Sequence, residues 1–152
     1  MKNTTLCYIE KDCKYLMLHR IKKENDENRD KWIGVGGKLE EKESPYDCVK
    51  REIKEETGLT VNDPRYRGVI TFVSDKYETE IMHLFWTDNF SGDILKECDE
   101  GELCWIDKRK LLELPIWEGD KIFLKLIDST NDFFSLKLVY NGDKLIGYYI
   151  NE

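Results

Sequence analysis

Apolar residues along this chain come mostly in short β-rich runs broken by charged turns, with two stretches of helical spacing between them. Residues 5–9 and 15–19 are two such runs separated by a charged stretch at 10–14, which predicts a hairpin. Residues 21–31 are polar throughout, with nothing to bury, and read as a solvated connection; a mobile cover over a site is the alternative. Residues 32–37, WIGVGG, are apolar and rich in glycine, so the backbone turns tightly there or passes close to something. Ser44-Pro45 opens a helix, with Ser44 as N-cap, Pro45 at the first helical position and Asp47 where a capping-box acid belongs. The helix is expected to run to Thr57, with Gly58 as its left-handed stop.

Two more strand-like runs, at 65–74 and 79–87, flank a polar turn at 75–78. Residues 103–106 read as a short strand and 108–112 as a helical turn. Pro115 precedes a second main helix at about 118–127. Residues 133–140 and 144–150 flank Asn141-Gly142, a strong hairpin signal. Strands and helices alternate without a strict βαβ rhythm, which predicts an α/β domain with a mixed sheet and helices on both faces.

Composition narrows the picture. A chain of 152 residues, 40% apolar and 36% charged, suits one domain with one core, taken here as residues 1–152. No apolar run approaches the ~20 residues of a membrane span, and no signal-peptide core follows Met1, so a cytoplasmic location and no membrane partner are expected. The five cysteines, Cys7, Cys13, Cys48, Cys98 and Cys104, include no Cys-x-x-Cys pair. They are expected to be reduced, and a zinc site with His19 or His83 has no support from spacing. The net charge of −7 argues against a stable nucleic-acid partner. A small anionic substrate would need local positive charge, from a metal or a few Lys and Arg. Nothing in the sequence signals an oligomeric state.

The first helix carries the candidate chemistry. At ~100° per residue, Glu52, Glu55 and Glu56 share one sector, Val49 and Ile53 form an adjoining apolar stripe, and Lys50 and Lys54 point away. Three carboxylates side by side repel one another, and the C-terminal half of a helix disfavours negative charge. A hard divalent cation such as Mg²⁺, which prefers carboxylate oxygens, offsets both costs. The alternative is a solvated acidic face with ion pairs such as Arg51 to Glu55.

The flanking residues favour the metal. From Gly37 to Leu59 the chain reads GKLEEKESPYDCVKREIKEETGL. Gly37, Glu43, Arg51, Glu52, Ile53, Glu55, Glu56, Gly58 and Leu59 stand at the spacing G-x5-E-x7-R-E-φ-x-E-E-x-G-φ, where φ is apolar, without a mismatch. This segment resembles the motif of the Nudix hydrolase family. The resemblance implies the Nudix fold, an α/β/α sandwich on a central mixed sheet. It implies Mg²⁺, or Mn²⁺ in its place, held by Glu52, Glu55 and Glu56 with the backbone carbonyl of Gly36. It also implies that Glu43 and Arg51, with Gly37 and Gly58, hold the loop-helix-loop together.

Such enzymes hydrolyse phosphoanhydrides, the metal acting as Lewis acid and activating water. The general base is a helix glutamate (Glu52, Glu55 or Glu56) or a carboxylate from elsewhere; in similar enzymes of the oxidised-purine branch an acid just before the strand at 103–106 ligates metal or helps activate water, and Glu100 matches it best. Arg20 and Lys38 flank the motif loop and are candidates for holding phosphate.

The likeness extends to the branch that hydrolyses oxidised purine nucleoside triphosphates such as 8-oxo-dGTP to monophosphate and pyrophosphate, a nucleotide-pool sanitation of the kind MutT-like enzymes carry out. There Trp117 matches a Trp that packs on the purine, and Asp120 an acid that reads its edge. Two positions depart from vertebrate members: Ile33 stands for Asn and Gly119 for a second Asp. Other readings remain. ADP-ribose, a dinucleoside polyphosphate, a nucleotide sugar or an RNA 5′ end could be the substrate, or the domain could sense a nucleotide without catalysis.

Overall fold

The structure is a computed structural model that describes residues 1–95 and 97–152, the side chains of 97 and 98 excepted. Its strands are β1 (Lys2–Lys11), β2 (Lys14–Arg20), β3 (Trp32–Ile33), β4 (Thr60–Val61), β5 (Arg65–Ser74), β6 (Glu80–Thr87), β7 (Phe90–Ser91), β8 (Glu97–Cys98), β9 (Gly101–Asp107), β10 (Phe134–Asn141) and β11 (Lys144–Ile150). Its helices are α1 (Pro45–Thr57), α2 (Lys108–Leu111) and α3 (Glu118–Ser129). The main sheet is ordered β11-β10-β5-β6-β1-β2-β9-β8, with β3 paired to β2. β1 runs parallel to β6 and β10 parallel to β5, while the other pairs are antiparallel. A separate pair, β4 with β7, follows α1.

The central strands read as unbroken apolar runs because both faces are covered. On β1, Leu6 and Tyr8 join the core under α3, whereas Cys7 and Ile9 join the core under α1. On β2 the same split separates Tyr15 and Met17 from Leu16 and Leu18. α1 contributes Val49 and Ile53 to one core, and α3 contributes Phe123, Leu124 and Ile127 to the other. The α/β/α sandwich with a mixed sheet is thus present, built on a period-2 alternation that apolar residues on both faces hide from a polarity plot.

Several local expectations meet a more exact geometry. The first turn is Asp12–Cys13, both residues left-handed, as the twist of a two-residue hairpin demands. The C-terminal turn is Gly142–Asp143 rather than Asn141-Gly142: Asn141 still pairs with Lys144, and a bulge between Val139 and Tyr140 shifts the register. β3, β4, β7 and β8 are two residues each, too short to leave a periodic trace in the sequence.

Cys7, Cys13, Cys48 and Cys104 are free thiols, and the Cys98 side chain lies outside the described residues. Among the described residues no helix is long and apolar enough to cross a membrane.

The feature that makes room for a site is a split in the sheet. β1 pairs with β2 only near the hairpin, at Glu10–Tyr15 and Lys11–Lys14. Farther back, β1 pairs with the segment around 35–38 instead, through Cys7–Val35 and Thr4–Lys38. Close approach there explains the glycines: a Cβ on Gly36 would stand 2.0 Å from the Thr5 carbonyl oxygen.

Candidate active site

α1 starts and stops as its sequence dictates. Ser44 accepts from the Asp47 N–H at 3.1 Å, the Ser44 N–H donates to Asp47 at 3.0 Å, and Pro45 occupies the first turn. Gly58, at φ 81°, closes the helix by donating to the Lys54 carbonyl.

Arg51 ties the loop to the helix. Its Nε and Nη2 donate to the two Glu43 oxygens at 2.7 and 2.9 Å, and Nη2 also donates to the Lys38 carbonyl at 3.2 Å. These bonds hold the Glu43 carboxyl down at about 2. Nη1 donates to Glu52 at 2.8 Å and to Glu55 at 3.1 Å, so the i,i+4 ion pair considered for this helix is present.

Glu52 packs against the motif loop: a Cβ on Gly37 would come 2.4 Å from the Glu52 Cδ. Glycine at 37 is what lets that carboxylate reach the backbone. Burial raises the Glu52 carboxyl, Arg51 opposes the rise, and the charges of Glu55 and Glu100 add to it. Glu56 is buried and Glu55 exposed. Glu100, in the turn between β8 and β9, comes within 3.5 Å of Arg20 Nη1. Among the described residues, no three His, Cys, Asp or Glu side chains are gathered as a ready metal cage; Arg51 stands between Glu52 and Glu55.

The donor set nonetheless suits a hard cation. It is all carboxylate oxygen, and Glu52 carries like charges on two sides. A backbone oxygen is at hand as well. The carbonyls of Val35 and Gly37 accept from the Cys7 and Thr5 N–H groups. Successive carbonyls of an extended strand point to opposite edges, so that of Gly36 turns away from β1.

Beside this loop lies a cleft of about 370 Å³. Gly36, Gly37, Lys38 and Arg20 line one part, and Trp117, Asp120 and Tyr140 another. Trp117, at the start of α3, meets Tyr140 edge to face at 5.6 Å, and Lys31 Nζ lies 4.9 Å from its ring centre. Asp120 is buried. Burial first, and then the nearby charge of Glu80, push its carboxyl up to about 8 against the opposing pull of Lys31.

The cleft therefore brings together Arg20, Lys38, Gly36, Trp117 and Asp120, with Glu52 behind Gly37. Glu55 and Glu56 lie farther along the same helix. Two sequence expectations are refined. The stretch 21–31 is mostly exposed, as a solvated connection would be, but its middle has partners as well: Asp26, Glu27 and Asn28 line the cleft, Asn28 accepts from the Trp117 indole N–H at 2.8 Å, and Asp26 pairs with Arg20 at 2.6 Å. Asp26 and Asn28 satisfy partners on the cleft rim, while most of the stretch faces water. Arg20 in turn faces two acids, Asp26 and Glu100, so its charge is largely matched within the protein.

Sequence reasoning passed over Asn28, Phe72, Glu80, Met82 and Tyr140, all of which line the cleft. Glu80 and Met82 stand two apart on β6, so period-2 reading of that strand was the available signal. Gly119 has a steric reason: a Cβ there would lie 2.5 Å from Leu138 and 2.7 Å from the Tyr140 hydroxyl, which accepts from the Gly119 N–H.

Comparison with known proteins agrees with this geometry. The family model for the NUDIX domain matches residues 2–127. The chain is 35% identical over 124 residues to the uncharacterized Nudix hydrolase YvcI of Bacillus subtilis (strain 168), covering 79% of this chain and 75% of that one. It is 32% identical to the oxidized purine nucleoside triphosphate hydrolase of Danio rerio, covering 80% of this chain and 78% of that one. The crystal structure of the MutT protein from Bacillus halodurans superposes with a TM-score of 0.89 at 29% identity, covering 99% of this chain and 98% of that one. An unbroken motif on a capped helix, this fold and these relatives together show that the chain belongs to the Nudix family, as a hydrolase of phosphoanhydrides.

Proposed function

We propose that the protein hydrolyses a purine nucleoside triphosphate, an oxidised purine such as 8-oxo-dGTP being the leading candidate, to the monophosphate and pyrophosphate. The observation that carries this reading is the shape of the cleft. It puts an indole, a buried acid and a tyrosine beside the loop that leads into the glutamate helix. A flat base against Trp117 and a polyphosphate along Gly36–Lys38 fit that layout. The relatives named for oxidised purine triphosphates and MutT lend the same direction at modest identity.

Nudix hydrolases as a family use a divalent metal ion. In this chain Glu52, Glu55 and Glu56 would hold Mg²⁺, or Mn²⁺, with the Gly36 carbonyl, and Glu100 would join them from the β8–β9 turn. When bound, the ion supplies Lewis acidity toward phosphoryl oxygen and lowers the pKa of water. The protein's own part is positional. Lys38 meets phosphate charge at the cleft wall, and Arg20 orders Asp26 and Glu100. Arg51 and Glu43 fix the loop against the helix, with Gly37 and Gly58 giving the backbone its turns. A carboxylate of the set takes the proton of the attacking water. Residues 1–152 act as one unit in this reading, because Tyr140 and Gly142 of the C-terminal hairpin line the same cleft. The setting is cytoplasmic, with free nucleotides as partners.

The test is hydrolysis of a panel of nucleotides with Mg²⁺ and Mn²⁺, including oxidised purine triphosphates, ADP-ribose and dinucleoside polyphosphates, with products resolved. Pyrophosphate and a purine monophosphate are expected. Turnover confined to ADP-ribose or to dinucleoside polyphosphates would replace this reading.

A further inference from the structure

Glu80 is an acid at the base end of the cleft to which no role has been given. It opens β6, on the face that carries Met82 and Leu84 toward α3, and it lines the cleft with Trp117 and Asp120. Its setting is built. Lys2 is its direct partner across the parallel β1–β6 pair, and the Lys2 Nζ lies 3.4 Å from Glu80 Oε1. Thr4, two residues on and diagonal to it, donates its hydroxyl to Glu80 Oε2 at 2.6 Å. Lys2 is itself braced by Glu27, another residue lining the cleft, at 3.4 Å.

The carboxylate is held by a cation and a hydroxyl and serves as an acceptor. Its two oxygens offer about four acceptor positions, so one ion pair and one hydrogen bond leave capacity on both. An acid lining a cleft meant for an anion is unfavourable unless the ligand offers it donors, and burial already keeps the neighbouring Asp120 from adding a second charge. Glu80 makes sense where the ligand's far end presents N–H groups. A base edge with two adjacent N–H donors matches a carboxylate in bidentate fashion, whereas an edge offering a bare ring nitrogen there sets lone pair against lone pair.

We propose that Glu80 is a specificity-determining residue: its carboxylate, oriented by Thr4 and Lys2, selects a purine whose edge carries adjacent ring N–H and exocyclic amino donors, a guanine-type base. The proposal rests on the triphosphatase reading above. It adds to Asp120 a second polar group on the base, supplied by the sheet instead of the helix.

Steady-state hydrolysis of dGTP, dITP and dATP by the full chain with Mg²⁺ tests it. dITP is the informative partner, since it lacks only the exocyclic amino group. The wild type is expected to favour dGTP over dITP in kcat/KM by about tenfold or more, the usual consequence of leaving a charged acceptor without its donor. Glu80→Gln is expected to shrink that preference by about tenfold, mostly through KM. Thr4→Val, which removes the orienting bond and keeps the charge, is expected to shrink it by about twofold to fivefold. Melting curves of both variants check that the fold is kept. A wild type indifferent to the amino group, or a preference that both variants retain, overturns the role of Glu80 and leaves the triphosphatase reading standing. A wild type that hydrolyses none of the three and none of their oxidised forms overturns that reading, and the role of Glu80 with it.

Discussion

Asp120 shows how strongly the cleft acts on one side chain. In the folded protein burial and the charge of Glu80 keep it protonated up to about pH 8, while an unfolded chain releases that proton near 3.8. Between those values the folded state binds more protons than the unfolded one, so this group's contribution is fully present below about pH 4 and is lost as pH rises through 8. Asp120→Asn, which stays neutral, is expected to flatten that decline and to be more stable than the wild type at pH 8 by at least ~1 kcal/mol. Urea unfolding of both proteins at pH 5 and pH 8 checks it; an identical pH dependence would show that Asp120 is not held neutral. The chemistry at 120 was visible in the sequence, as an acid at a helix start after a Trp. Its protonation was not, because the burial that mainly raises it comes only with the fold, and Glu80, 40 positions away, is brought near only by the sheet.

At the scale of elements, α1 was legible almost to the residue. Its information is local: Ser44, Pro45, Asp47 and Gly58 act within a turn of where they stand. Ser44→Ala is expected to cost about 1 kcal/mol in chemical denaturation. The segment at 35–38 is the opposite case. The glycines announced a close approach, but the partner, β1 at Thr5, belongs to a pairing that displaces β2 and cannot be read from 32–37 alone. Gly36→Ala is expected to cost more than the cap, about 2–4 kcal/mol, because the intruding methyl meets main chain that has no rotamer to move. Equal costs for the two variants would contradict the split-sheet account. The contacts of the stretch 21–31 were hidden for a related reason. Its polarity suits water as well as it suits Arg20, Lys2 and Trp117, and only tertiary contact decides between them.

At the scale of the molecule, the sheet separates two tasks. Helix α1 on one face carries the glutamates, α3 on the other carries Trp117 and Asp120, and the loop at 36–38, which lines the cleft with Trp117 and Asp120, has Glu52 of α1 packed behind it. Asn28 ties the stretch 21–31 to the Trp117 ring. Asn28→Ala is therefore expected to raise KM for a nucleoside triphosphate about threefold to tenfold while kcat changes little, a split that steady-state kinetics resolves. A fall in kcat at unchanged KM would place the stretch in the chemistry instead. The central claim is that one side of α1 holds a divalent cation against a polyphosphate. Its most direct test is titration of Mn²⁺ into the protein, followed by electron paramagnetic resonance, with a non-hydrolysable nucleoside triphosphate present. The wild type should take up the ion, and Glu55→Gln and Glu56→Gln should weaken uptake about tenfold or more and cut turnover at least a hundredfold, with the fold retained. Undiminished uptake and turnover in both variants would contradict the claim.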